Sequence, residues 1–223
     1  MSQLRTDEIV DADGNGAPDF PNGLTSQGTI KLDGNYPVGT NNVALGDTAL
    51  DSLSSGTNNT ALGSAALTTT SSGSNNVAVG FNALTANTTA GYNVAFGTNT
   101  LAGNTTGSEN AVFGGAAGLA NTTGTGLTGA GYTALRFNTT GNYNTAIGDA
   151  ALYSNTTASN NTAVGYQAGY NNTTGTFNSM FGQEALSTNT TGSYNSAFGN
   201  LALENNTTAN SNTGIGYKAL FAN

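Results

Sequence analysis

The chain has no cysteine, no histidine and no tryptophan, only three prolines, and four Lys and Arg set against twelve Asp and Glu in 223 residues. Each shortage closes off a class of function. Without cysteine there is no disulfide framework and no thiolate metal site, and without histidine the commonest general base and transition-metal ligand is missing. A formal charge of -8 with so little base leaves nothing to follow a phosphate backbone, so no nucleic-acid partner is expected. No run of about 18 apolar residues is present to cross a bilayer, and the opening MSQLRTDEIV lacks the apolar stretch of a secretion signal. Membrane insertion and signal-directed export are therefore not expected.

In place of these residues the chain has 32 Gly, 33 Asn and 37 Thr, all of which disfavour helix interiors. Polar composition of this kind also marks disordered segments, which bury too little apolar surface to fold. Periodicity decides against disorder. Glycine recurs every 17 residues from Gly46, Gly63 and Gly80 to Gly216. Four residues before it stands asparagine in every unit except the one with Leu127, and four residues after it stands leucine except at Gly118 and Gly169. Eleven such units fill residues 37–223 without insertion or deletion, a register that disorder would not keep. Residues 1–36 form a separate amino-terminal segment.

The unit reads N-(T/V)-A-(I/V/L/F)-G-x-x-A-L-x-x-N-T-T-G-S-x, with positions numbered 1 to 17 from the first asparagine. Seventeen residues so rich in breakers cannot hold two helices and a turn. Two or three strands of three to five residues per coil fit, joined by turns in which Gly and Asn accept positive φ. The expected fold class is all-β: a parallel β-solenoid or β-roll of eleven 17-residue coils, about 50 Å long at roughly 4.8 Å per coil. Side chains alternate along a strand such as 145–147. The bulky residues at position 4, among them Leu45, Phe96, Ile147 and Phe198, are expected to stack inside. The small residues at position 3, Ala44, Ala61, Ala78, Ala95, Ala146, Ala163 and Ala197, are then an outer ladder that packs against other copies of the chain. A single coil cannot offset the entropy of ordering its own residues, so coils must lean on one another and on neighbouring chains. A homotrimer, three chains side by side with these alanines at the interface, is expected.

Little in the sequence carries chemistry. Asp47 and Asp51 are the only pair of carboxylates inside one coil, and Glu184 and Glu204 sit in adjacent coils at different registers, which is a poor arrangement for a paired acid and base. No catalytic residue, cofactor site or metal site is assigned, and the protein is not expected to be an enzyme. In the amino-terminal segment, residues 11–16 (DADGNG) match the first half of a calcium loop, but Asn22 stands where the bidentate Glu belongs, so an acidic turn is expected. Aromatic residues recur at position 6 (Phe81, Tyr132, Tyr166, Tyr217) and position 17 (Tyr92, Tyr143, Phe177, Tyr194), where they can pack between coils or stack on a sugar; packing is the expectation. The N-T-T runs read as turns with Asn and Thr hydrogen-bond ladders. Only one of two adjacent threonines can face out, which leaves no two-column array for ice. The repeat continues to the last residue, and an open strand edge there is expected to be covered within an assembly.

The segments 144–148 (NTAIG) and 161–165 (NTAVG) resemble the N-S-V-A-I-G repeats of trimeric autotransporter adhesin heads, a resemblance that implies three parallel β-rolls packed side by side. Over nearly the whole chain the N-T-A-I-G-x-x-A-L-x-x-N-T-T-G unit is similar to repeats in fibre proteins of tailed bacteriophages. The stretch 7–25 (DEIVDADGNGAPDFPNGLT) resembles the opening segment of virion fibre proteins of marine phages. The resemblance implies a structural virion protein, a trimeric tail or head fibre or spike. It would be joined to other virion proteins through residues 1–36, with host surface glycan or protein as a further contact. The alternative is a bacterial surface adhesin or an ice-binding β-solenoid that acts without a virion. Since each coil touches only its neighbours, deleting residues 66–82 is expected to leave a folded rod one step shorter. A cooperative thermal melt with an unchanged β signal would confirm it, and loss of the transition would refute nearest-neighbour stacking.

Overall fold

The computed structural model describes residues 40–222. The chain divides into a unit 1–32 and a unit 33–223, and everything described belongs to the second. The attachment segment 1–36 and the acidic loop 11–16 lie outside the described residues.

Each coil contributes one three-residue strand, from β1 (Val43–Leu45) and β2 (Thr60–Leu62) through β7 (Thr145–Ile147) to β11 (Thr213–Ile215), to one parallel eleven-stranded sheet in sequential order. Each residue pairs with the one 17 later, Ala61 with Ala78 and Ala146 with Ala163, so the chain is a parallel β-solenoid. One strand per coil is fewer than the two or three expected. The rest of the coil is turn, yet its backbone also bonds from coil to coil: Leu84 N–H donates to the Thr100 carbonyl at 3.1 Å and Asn99 N–H to that of Phe81 at 2.8 Å.

Positive φ recurs at positions 5, 7, 9 and 17 of every coil. Position 5 is always glycine because only glycine fits there. A Cβ on Gly80 would lie 2.6 Å from the carbonyl oxygen of Gly97. Position 9 is leucine in nine coils, with φ of 56° at Leu50 and 48° at Leu152, so such backbone extends beyond the Gly and Asn expected to take it. The left-handed region costs a residue with a Cβ about 1–2 kcal/mol. From Leu50 to Leu203 these side chains are fully buried, which returns about 1.5–3 kcal/mol each and offsets the strain.

The interior is the reverse of the expected one. The alanines of position 3, from Ala61 to Ala197, are buried inside the coil, and Ala44 of the first coil packs partly buried against the same core. The bulky residues of position 4 point outward. The core is built from leucine at position 9, alanine at positions 3 and 8, and two columns of buried asparagine at positions 1 and 12. Buried leucine packs against position 3, where a Cβ on Gly129 would lie 3.6 Å from a Leu135 methyl, so a methyl group fits there and a larger side chain only where a nearby leucine gives way to glycine.

Asparagine is tolerated there because its amide is saturated. Within one coil, the Nδ2 atoms of Asn110 and Asn121 both donate to the carbonyl oxygen of Gly124, each at 3.0 Å. The Oδ1 atoms reach the neighbouring coil: that of Asn121 accepts from Nδ2 of Asn138 at 2.8 Å, and that of Asn110 from the backbone N–H of Leu127 at 2.9 Å. The same pattern brackets Gly107, Gly175 and Gly192. The ladders expected of these residues are therefore present, and they run through the inside of the solenoid.

The exceptions to the repeat compensate for one another. Where Gly169 replaces leucine, Met180 replaces alanine in the next coil, and a Cβ on Gly169 would lie 2.6 Å from the Met180 sulfur. Where Gly118 replaces leucine, Val112 replaces alanine in the same coil and reaches toward Gly129, whose Cβ would meet a Val112 methyl at 3.1 Å. We therefore expect Met180→Ala to destabilise by about 2–5 kcal/mol through a cavity, and Gly169→Leu by about 1–3 kcal/mol through overpacking. The double substitution restores the common pair and should unfold in urea near the wild-type midpoint; additive losses would refute the compensation.

Candidate functional site

The constant interior leaves the outward positions as the place for function. Among the alanines expected to meet other chains, the six from Ala61 to Ala197 are fully buried, and none of these can reach a partner. The face they were expected to form is instead the bulky column of position 4. Phe96 is 53% exposed and Ile147 42%, on a strand whose middle residue is fully buried. Phe181 and Phe198 stack along this column with ring centroids 5.0 Å apart and planes 4° from parallel. The column runs the length of the sheet, because parallel in-register pairing places each position 4 beside the next.

The rings at positions 6 and 17 are largely exposed on one side yet lie against the preceding coil: a Cβ on Gly126 would meet the Tyr143 ring at 2.6 Å, and one on Gly115 that of Tyr132 at 3.4 Å. Tyr92, Tyr132, Tyr143 and Tyr217 are all exposed. Phe177 and Tyr194 do stack on each other, at 5.2 Å. Position 17 has left-handed backbone in every coil, where Asn41, Asn58 and Asn75 are at home and Tyr92, Tyr143 and Tyr194 are not. The three asparagines form a short surface ladder, Asn41 Nδ2 donating to Asn58 Oδ1 at 3.1 Å and Asn58 Nδ2 to Asn75 Oδ1 at 3.3 Å.

Adjacent threonines divide as expected. At position 13, Thr105 and Thr122 are partly buried, and the Oγ1 of each donates to the carbonyl of the corresponding residue in the next coil, at 2.9 and 3.0 Å. At position 14, Thr106, Thr123 and Thr140 face out. Among the carboxylates, Asp47, Asp51 and Asp149 are exposed, and Glu184 accepts a 3.1 Å hydrogen bond from Gln183 Nε2. Among the described residues no group of three or more Asp and Glu is gathered as a metal would require. The two described cations lie beside rings, Arg136 over Phe137 at 5.6 Å and Lys218 over Phe221 at 4.9 Å. No helix among the described residues is long and apolar enough to cross a membrane.

One signal in the sequence distinguishes inside from outside. Volume at position 4 ranges freely from Ala130 through Val79 to Phe96, whereas departures at positions 3 and 9 before the last coil are matched by their neighbours. A packed interior does not tolerate uncompensated changes in volume. For the ring at position 17, Tyr92→Asn would extend the asparagine ladder and relieve left-handed strain. It should raise stability by up to about 1 kcal/mol, read as a higher urea midpoint at unchanged slope. A fall would mean that the ring holds the coils together.

No protein-family model matches the chain, and no curated protein and no solved structure is similar enough to be matched to it.

Proposed function

We propose that the protein is a non-enzymatic structural component of a tailed-bacteriophage virion, a homotrimeric tail or head fibre or spike attached through residues 1–36. The observation that carries this reading is the uninterrupted solenoid, eleven coils in one register with an outward apolar column along it. Such a body is stiff, because every coil is bonded to the next through backbone and side chains alike. It presents the same lateral surface at every step, as a spacer made of several parallel chains requires. The similarity of residues 7–25 to the opening segments of virion fibre proteins supports attachment at that end. Contact with a host glycan or protein would fall to the outward rings and threonines.

The exposed tyrosines favour one other reading, a bacterial surface adhesin acting without a virion, since unpaired ring faces on a rigid support suit sugar stacking. The two readings separate on location. Particles purified from a lysate by density are expected to contain the chain at a fixed ratio to the capsid protein, labelled by antibody on tail or head. Its absence from particles, with label on the cell envelope, would replace the virion reading by the adhesin.

A further inference from the structure

We propose that the position-4 face of the sheet is where copies of this chain meet, parallel and in register. The orientation rests on the reading that all chains attach by the same end. Six of its residues, Leu45, Phe96, Phe113, Ile147, Phe181 and Phe198, are between 37% and 53% exposed. At about 150–200 Å² for a large apolar side chain, each leaves roughly 55–105 Å² open. With Ile215, 74% exposed at the end of the column, these side chains leave about 500–700 Å² of apolar surface open, and the flanking position-2 side chains, mostly Thr and Ser, widen the face. That approaches the roughly 800 Å² per partner of a stable protein interface and stands at the upper end of the largest apolar patch an ordinary monomer leaves in water.

Pitch selects the occupant. An apolar side chain stands at every coil, and a partner can meet all of them only if it presents one at the same spacing over eleven steps. A second copy does so by construction. Charge does not oppose the approach, because positions 2 and 4 carry no ionisable residue in any of the eleven strands. The trimer expected from the sequence is thus reached through the opposite strand face from the one assigned to it, leaving the alanines to the interior of each chain.

The absence of native cysteine makes the test clean. Position 4 accepts Ala130 and Val79 as readily as phenylalanine, so Leu62→Cys and Ile147→Cys are expected to fold as the parent does. In the full chain, each variant alone should be joined to itself by a short bis-maleimide linker, and light scattering of the untreated protein should give a multiple of 22.2 kDa, three times for the trimer. Thr157→Cys, at position 14 and off the strand, should stay unlinked. A monomeric mass, or linkage at Thr157→Cys alone, would overturn the proposal. So would linkage of Leu62→Cys only when mixed with Phe198→Cys, since coils 2 and 10 meet in an antiparallel pair. Self-linked multimers absent from purified particles would defeat the virion reading and leave this interface standing.

Discussion

The structure depends on the saturation of asparagine amides inside the coil. An unpaired buried amide costs about 1–3 kcal/mol, and two such side chains per coil would undo a solenoid this short of apolar volume. Each is satisfied only if the position-15 carbonyl of its own coil and the amide of a neighbouring coil stand at fixed places, as Gly124, Asn110 and Asn121 do. A slip of one residue in any coil would unpair the column above and below it. This constraint accounts for eleven units of 17 without an insertion, and for glycine at position 5, where the backbones of successive coils approach too closely for a Cβ.

Apolar packing works within that frame. Leucine at position 9 enters the core from a left-handed turn, and alanine at positions 3 and 8 fills what remains. The interior is so narrow that a change in one coil has to be answered within that coil or the next, by Val112 for Gly118 and by Met180 for Gly169. The asparagine columns accommodate exceptions: buried Leu53 and Thr70 stand at position 12 of the first two coils, and at position 1 the backbone N–H of Leu127 still donates to Asn110 while its side chain joins the buried cluster.

A scaffold of this kind separates constancy from variation. Inward positions are committed to hydrogen bonds and to a narrow range of volume, so chemical variety falls to the outward positions, among them 4, 6, 7, 10, 11, 14 and 17. There the chain places apolar bulk, tyrosine and threonine, and among the described residues its few charges are not gathered into a metal-binding group. Such a surface repeats from coil to coil, with its apolar side chains aligned in one column along the sheet.

Much of this was legible before any coordinates. The 17-residue spacing of glycine, asparagine and leucine specified a parallel solenoid in one register, because no helical pair fits the interval and no other stacking keeps identical residues in columns. Strand position followed from the Thr-Ala-Ile alternation, and the Asn and Thr ladders from their recurrence. Alternation, however, states only that Ala146 and Ile147 lie on opposite faces. Which face is inside depends on what the coil holds, and there the fully buried Leu152 shares a narrow interior with Ala146. That is a fact of tertiary packing, and it turned the interior column into an outer surface, and the alanine ladder into core.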